Sequence, residues 1–122
     1  MRTISLGLVA LVASLALAAA LGFATRAQAA TPTLVAQTGP GFTITLKKSG
    51  KLVKVLKPGK YIIEVLDKSS IHNFHLTGPG ANKKTSTPKV YTIKWTVTLK
   101  KGKYNYICDP HAEFMRNSFV VK

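Results

Sequence analysis

Tyr91-Thr-Ile-Lys-Trp95-Thr-Val-Thr-Leu99-Lys-Lys-Gly-Lys-Tyr104-Asn-Tyr-Ile-Cys108-Asp-Pro-His111-Ala-Glu-Phe-Met115 carries the plainest secondary-structure signal in the chain and its only cysteine. Tyr91, Ile93, Trp95, Val97 and Leu99 alternate with Thr92, Lys94, Thr96 and Thr98. A period of two over that length predicts a strand with one face buried and one wet. Lys101-Gly102-Lys103 turns the chain into a second strand, Tyr104 to Cys108. Alternation puts Tyr104, Tyr106 and Cys108 on one face of it. Asp109-Pro110 ends that strand. Pro110 fixes φ and removes an N–H, which stiffens the step to His111.

The same grammar extends to the residues before it. A short strand is expected around Leu34 and Val35, broken by Gly39-Pro40-Gly41. Phe42, Ile44 and Leu46 alternate with threonines as a half-buried strand, and Lys48-Ser49-Gly50-Lys51 reads as a turn. Leu52 to Leu56 is the next expected strand, Pro58-Gly59 a turn, and Tyr61 to Leu66 a more deeply buried strand. Ile71 to Leu76 is extended, Gly78 to Lys89 is polar without a hydrophobic period and reads as a loop, and Ser118 to Val121 is a last strand. No amphipathic helix is legible after residue 29. Short strands punctuated by Gly and Pro predict an all-β protein, an antiparallel β-sandwich. Leu56-Lys-Pro-Gly-Lys-Tyr61 echoes Leu99-Lys-Lys-Gly-Lys-Tyr104, which suggests two similar strand-turn-strand corners. Tyr104 is a candidate corner tyrosine whose hydroxyl ties back to nearby backbone.

Residues 1–29 read as a signal segment. Arg2 is followed by an uncharged run from Ile4 to Ala24, and Ala27-Gln28-Ala29 is a cleavage-type motif. The run is also nearly long enough to span a bilayer, so an uncleaved anchor is the competing reading. Either exports the domain at 30–122, as a periplasmic, secreted or membrane-tethered protein. Arg2 and Arg26 lie before that domain, so it holds sixteen of the eighteen basic residues and all four acidic ones, a net charge of +12. Such a charge favours an anionic partner, either an acidic redox protein or a lipid surface. Its plainer use is solubility, with lysines guarding strand edges. Nucleic acid is not expected: the aromatics do not interleave with the bases, and arginine is scarce after residue 29. A lone cysteine makes no intramolecular disulfide, and a free thiol outside the cell oxidises unless buried or occupied.

Metal ligation would occupy it. Cys108, His111 and Met115 place a thiolate, an imidazole and a thioether on one short loop, a donor set that suits copper. A blue-copper centre needs a second imidazole. Only His72 and His75 remain, both in Ser70-Ile-His-Asn-Phe-His-Leu76. Their opposite strand parity allows one to be the ligand, and spacing does not choose between them. Zinc is disfavoured by the methionine. A Cys–His nucleophile would lack an orienting third group, so no enzyme is expected. Taken singly, Cys108 reads as a buried hydrophobe, His111 as a polar loop residue and Met115 as core filler.

Cys108-Asp-Pro-His111-Ala-Glu-Phe-Met115, preceded by Tyr104-Asn-Tyr106 and paired with the upstream His72-Asn73, resembles the cupredoxin family. It is most similar to the plastocyanin, pseudoazurin and amicyanin branch. The resemblance implies a Greek-key sandwich with one type 1 copper ion, held by His72, Cys108, His111 and Met115 and cycling between Cu(I) and Cu(II). It implies that Asn73 braces the ligand loop and donates from its backbone toward the cysteine sulfur. His75 matches a second histidine outside the ligand set. Electron transfer is the implied activity, with His111 as the port; Phe114 is a candidate docking residue beside it, the lysines would steer redox partners acidic at the docking surface, and a monomer is expected. The His-to-Met gap of three residues falls between the plastocyanin and amicyanin loops. Asn117 stands where glycine is frequent, and asparagine tolerates a positive φ. The other function classes compatible with these residues are a copper-delivery module without a redox partner and a basic surface-binding domain with a vestigial site.

Overall fold

Burial in this molecule follows the strand alternation. In β1 (Thr33–Thr38) Leu34, Ala36 and Thr38 are fully buried, and the residues between them face outward. The computed structural model describes residues 20–122. The uncharged run assigned to export lies mostly outside the described residues; Ala27, Gln28 and Ala29 are exposed and in no regular element. Among the described residues no helix is long and apolar enough to cross a membrane.

One sheet takes β1, β2 (Ile44–Lys48), β3 (Lys51–Leu52), β5 (Gly59–Asp67) and β8 (Tyr91–Leu99) in the order β3-β2-β1-β5-β8. The other takes β4 (Val55–Leu56), β6 (His75–Gly78), β7 (Ala81–Lys84), β9 (Gly102–Ile107) and β10 (Arg116–Val121) in the order β4-β10-β9-β6-β7. The chain changes sheets after β3, β4, β5, β7 and β8. Two faces of a sandwich result, as expected, but not wholly antiparallel ones. β1 runs parallel to β5, and β4 parallel to β10. The reason is the crossing: β5 reaches β1 after a passage through the other sheet, which is the long connection a parallel pair requires.

That passage also splits the expected strand Leu52 to Leu56. β3 ends at Leu52, Val53 turns inward with its N–H on Leu46 O, and β4 begins at Val55 on the opposite sheet. The expected loop after Gly78 contains β7, paired with β6 around Pro79-Gly80. Asn82, Lys83 and Lys84 are polar and exposed, as suits an edge strand, so no hydrophobic period marks it. Gly80 has φ +70°, as the second central residue of a type II turn requires. A Cβ on Gly78 would run into the Tyr104 ring.

The core lies between the sheets. Leu34, Leu46, Ile63 and Val65 face Leu76, Tyr104, Tyr106 and Phe119. A chain of rings crosses it. Phe74 stacks on Tyr106 at 5.3 Å, and Tyr104 stacks on Phe119 at 5.2 Å. Tyr104, Tyr106 and Cys108 are all fully buried, so the strand parity places the cysteine in the core. Tyr104 is the expected corner: its hydroxyl donates to Pro79 O at 2.6 Å and accepts from Lys100 N–H at 3.0 Å. The sequence echo is matched at Tyr61, whose hydroxyl donates to Lys57 O. Tyr106 differs. Its buried hydroxyl makes no hydrogen bond of good geometry among the described residues, with the Leu46 backbone as a polar neighbour.

These two tyrosines predict opposite results. Tyr104→Phe removes two hydrogen bonds to part-buried backbone groups and should cost about 0.5–1.5 kcal/mol per bond in a urea unfolding experiment. Tyr106→Phe removes an unpartnered polar group and should leave stability unchanged or raise it.

Candidate metal centre

The centre forms at the end of the sandwich where β9 stops. Cys108 follows β9, and a short 3-10 helix, Asp109–His111, follows with Pro110 in its first turn. Proline suits that place because the helix does not need its missing N–H. Four backbone bonds then fold the loop on itself. His111 N–H donates to Cys108 O, Phe114 N–H and Met115 N–H donate to His111 O, and Cys108 N–H donates to Met115 O at 2.9 Å. The last bond returns Met115 to the level of Cys108 before β10 begins.

His72 arrives from the β5–β6 connection. The segment is not a strand there, since β6 begins at His75, so strand parity does not govern the two histidines. His72 is buried and turns Nδ1 toward the loop. His72 Nδ1 lies 3.7 Å from Cys108 Sγ, His111 Nδ1 lies 3.5 Å from Cys108 Sγ, and the two Nδ1 atoms are 3.1 Å apart. These three form a group able to hold a metal ion. The point equidistant from the three atoms is about 2.0 Å from each, close to the usual metal–imidazole and slightly under the metal–thiolate distance. The residues therefore fit a three-ligand metal centre. Met115 is buried, with 1% exposure, in the same loop. His75 is not part of it.

Asn73 binds the two halves together. Its Oδ1 accepts from Asp109 N–H at 2.7 Å, and its Nδ2 donates to Asp109 Oδ2 at 2.7 Å and to Thr85 O at 3.5 Å. All three of these contacts are made by the side chain. The expected backbone donation to sulfur is not found: among the described residues, the hydrogen-bonding neighbours of Cys108 Sγ are the two imidazole nitrogens. Asp109 was not singled out from sequence, where it looks like an ordinary turn residue. Burial alone would raise its pKa; hydrogen bonds from His75 and Asn73 and the charges of His75 and Lys84 outweigh this and hold it below the usual carboxylate value.

A second support lies under His72. Phe74 N–H donates to Thr85 Oγ1, which donates to Asp67 Oδ2 at 2.8 Å. Asp67 is 1% exposed, and burial pushes its pKa up despite the hydrogen bonds from Thr85 and Ser69 and the charge of His72. On the other side, Gly39 allows close approach: a Cβ there would stand 2.9 Å from Ser69 Cβ and 3.3 Å from His72 Cδ2. The turn delivers Phe42 over the site. Phe42 was expected on the buried face of a strand, but β2 begins at Ile44 and Phe42 is 59% exposed. Its ring sits edge-on to His72, His111 and Phe114 at 5.3, 5.1 and 5.6 Å. Asn117 needs no positive φ; it is an extended residue of β10 opposite Tyr106.

No protein-family model and no curated protein sequence matches the chain. Solved structures do. Reduced rusticyanin superposes with a TM-score of 0.55 over 79% of this chain and 82% of that one, at 20% identity. The fold is that of a cupredoxin. Rusticyanin from Thiobacillus ferrooxidans gives a TM-score of 0.54 over 78% of this chain and 79% of its own, at 21% identity. A methionine-to-glutamine variant of rusticyanin gives 0.56 at 20% identity, over 78% and 80%. Rusticyanin is itself a copper protein. In the cupredoxin fold of the present chain, the His72–Cys108–His111 group lies at one end of the sandwich, where β9 ends and β10 begins.

Asp67 gives this site a pH signature. Its folded pKa is raised above 3.8, so its protonated form favours folding below that value, and this contribution is lost as pH rises through the folded pKa. Asp67→Asn does not titrate. In metal-free protein its urea midpoint should gain on the wild type as pH rises from about 3 toward 7. A difference independent of pH would contradict the shift.

Proposed function

We propose that this chain is a small exported blue-copper electron carrier. One type 1 copper ion would be held by His72 Nδ1, Cys108 Sγ and His111 Nδ1, with the Met115 thioether as a weaker fourth donor. The observation that carries this is the triangle of two imidazole nitrogens and one thiolate sulfur, already at metal-binding separation. Likeness of fold to a copper protein supports it. Bound there, copper supplies a one-electron couple between Cu(I) and Cu(II).

The protein's part is to keep the ligands still and bring a partner close. Pro110, the Asn73 bonds and the Cys108–Met115 backbone bond restrain the loop from both sides, so the donor atoms have little room to relax when the charge changes. His111 is half-buried and closest to solvent of the three ligands, which makes its ring the electron port. Phe42 and Phe114, 59% and 61% exposed, frame it with an apolar surface. The fifteen lysines of the exported domain would steer a partner protein that is acidic where it docks. Phe42 packs across both imidazoles, and this closure supports a carrier over an enzyme, which needs an open ligand position. Cleavage after Ala29 would release residues 30–122 as a monomeric domain.

The test is a visible spectrum of residues 30–122 with Cu(II), beside Cys108→Ser. An intense blue thiolate-to-copper absorption, lost in the variant, is expected; weak absorption in the wild type would refute the centre. Met115→Leu should stay blue with a higher reduction potential, because losing a donor disfavours the more charged Cu(II). Raising ionic strength from about 10 to 150 mM should slow electron exchange with an acidic partner by roughly tenfold or more, as expected for steered association. A flat response would remove the steering role of the lysines.

A further inference from the structure

His75 is the histidine that the metal triangle leaves out, and both of its ring nitrogens are engaged. Nδ1 donates to Asp109 Oδ1 at 2.8 Å, and Nε2 lies 2.7 Å from Asn82 Oδ1. The ring is well covered, with 19% of the side chain exposed. An imidazole that touches two groups at such distances is oriented, not merely solvated. His75 opens β6 and stands opposite Ile107 of β9 on one side and Lys84 of β7 on the other. It therefore lies in the sheet beside the residue that precedes Cys108.

Asp109 is the junction. Its N–H and one carboxylate oxygen are held by Asn73, and the other carboxylate oxygen is held by His75. Asn73 alone leaves the carboxylate free to pivot about the Asn73 contact. A second hydrogen bond from a different direction removes that pivot. The Asn82 contact in turn ties the ring to the β6–β7 hairpin, so the clasp is anchored in the sheet. Cys108 is covalently joined to Asp109, and its sulfur direction depends on that peptide.

We propose that His75 is a positioning residue for the metal centre, acting through Asp109 to fix the Cys108–Asp109 peptide and hence the direction of the Cys108 thiolate. This rests on the copper reading of the triangle, and the experiment separates the two. In metal-free protein, the Asp109 amide should exchange with solvent at least tenfold faster in His75→Ala than in the wild type. His75→Asn, which places an amide donor near the Nδ1 position, should restore most of the protection. Thr77→Ala, on the same face of β6, is the control and should leave it unchanged. In the Cu(II)-loaded protein, His75→Ala should keep a blue band but shift it, and weaken copper binding about 10- to 100-fold, the usual cost of losing a partner that orients a ligand. His75→Asn should again recover most of the loss.

An Asp109 amide that exchanges at the wild-type rate in His75→Ala would overturn the clasp. So would a spectrum and copper affinity unchanged in that variant. Absence of a blue band in the wild type would instead refute the copper reading, and the clasp would be judged by amide exchange alone. If His75→Ala unfolds, His75→Asn and Asn82→Ala carry the same comparison; wild-type exchange in Asn82→Ala together with no difference for His75→Asn against His75→Gln would contradict the anchored geometry.

Discussion

Asn73 joins two segments that are 36 residues apart, and the site exists only because they are joined. His72 comes from a connection between sheets, whereas Cys108 and His111 come from the β9–β10 loop. The first segment is irregular where it meets the short 3-10 helix of the second. One amide side chain satisfies a backbone N–H and a carboxylate of the opposite loop while donating to Thr85 O. An amide suits this task because it carries both donor and acceptor on a short stem. Apolar burial of Phe74, the next residue, against Tyr106 and Trp95 keeps the stem in place.

The consequence is that three donor atoms are held 3.1, 3.5 and 3.7 Å from one another. Bringing two imidazoles and a thiol together in a buried corner is unfavourable by itself, since their polar atoms lose water. The sandwich core offsets this, and bound metal would add stability that grows with the logarithm of free metal concentration above its Kd. The arrangement also protects the lone cysteine. Its sulfur is fully buried, with the imidazoles on its accessible side and Phe42 beyond them. A thiol so placed is a poor target for solvent oxidants.

Much of this was legible in the sequence because it follows from local periodicity and donor chemistry. The alternation of Tyr91 to Leu99 and of Tyr104 to Cys108 dictated which side chains enter the core, and Pro110 marked the stiff turn. The Tyr104 corner followed from the repeated turn pattern. What stayed hidden depends on partners distant in the chain. The parallel pairings arise from where the chain crosses between sheets, which no local period records. Phe42 looked like a core residue by alternation, but Gly39 and the turn after it carry the ring out over the histidines. Asp109 and His75 are ordinary polar residues until the fold sets them side by side. His72 was separated from His75 only by family resemblance, because parity puts the two on opposite faces without choosing one, and β6 does not extend to residue 72.

In the proposed carrier, lysines would act on a partner at long range, the exposed Phe42 and Phe114 at contact, and the Nδ1–Nδ1–Sγ triangle would hold the copper. The most direct test of that triangle is copper X-ray absorption on the loaded protein in both oxidation states. The account predicts two nitrogen ligands and one short sulfur ligand, with distances nearly unchanged between Cu(II) and Cu(I). A shell of nitrogen and oxygen without short sulfur, or one that rearranges on reduction, would contradict it.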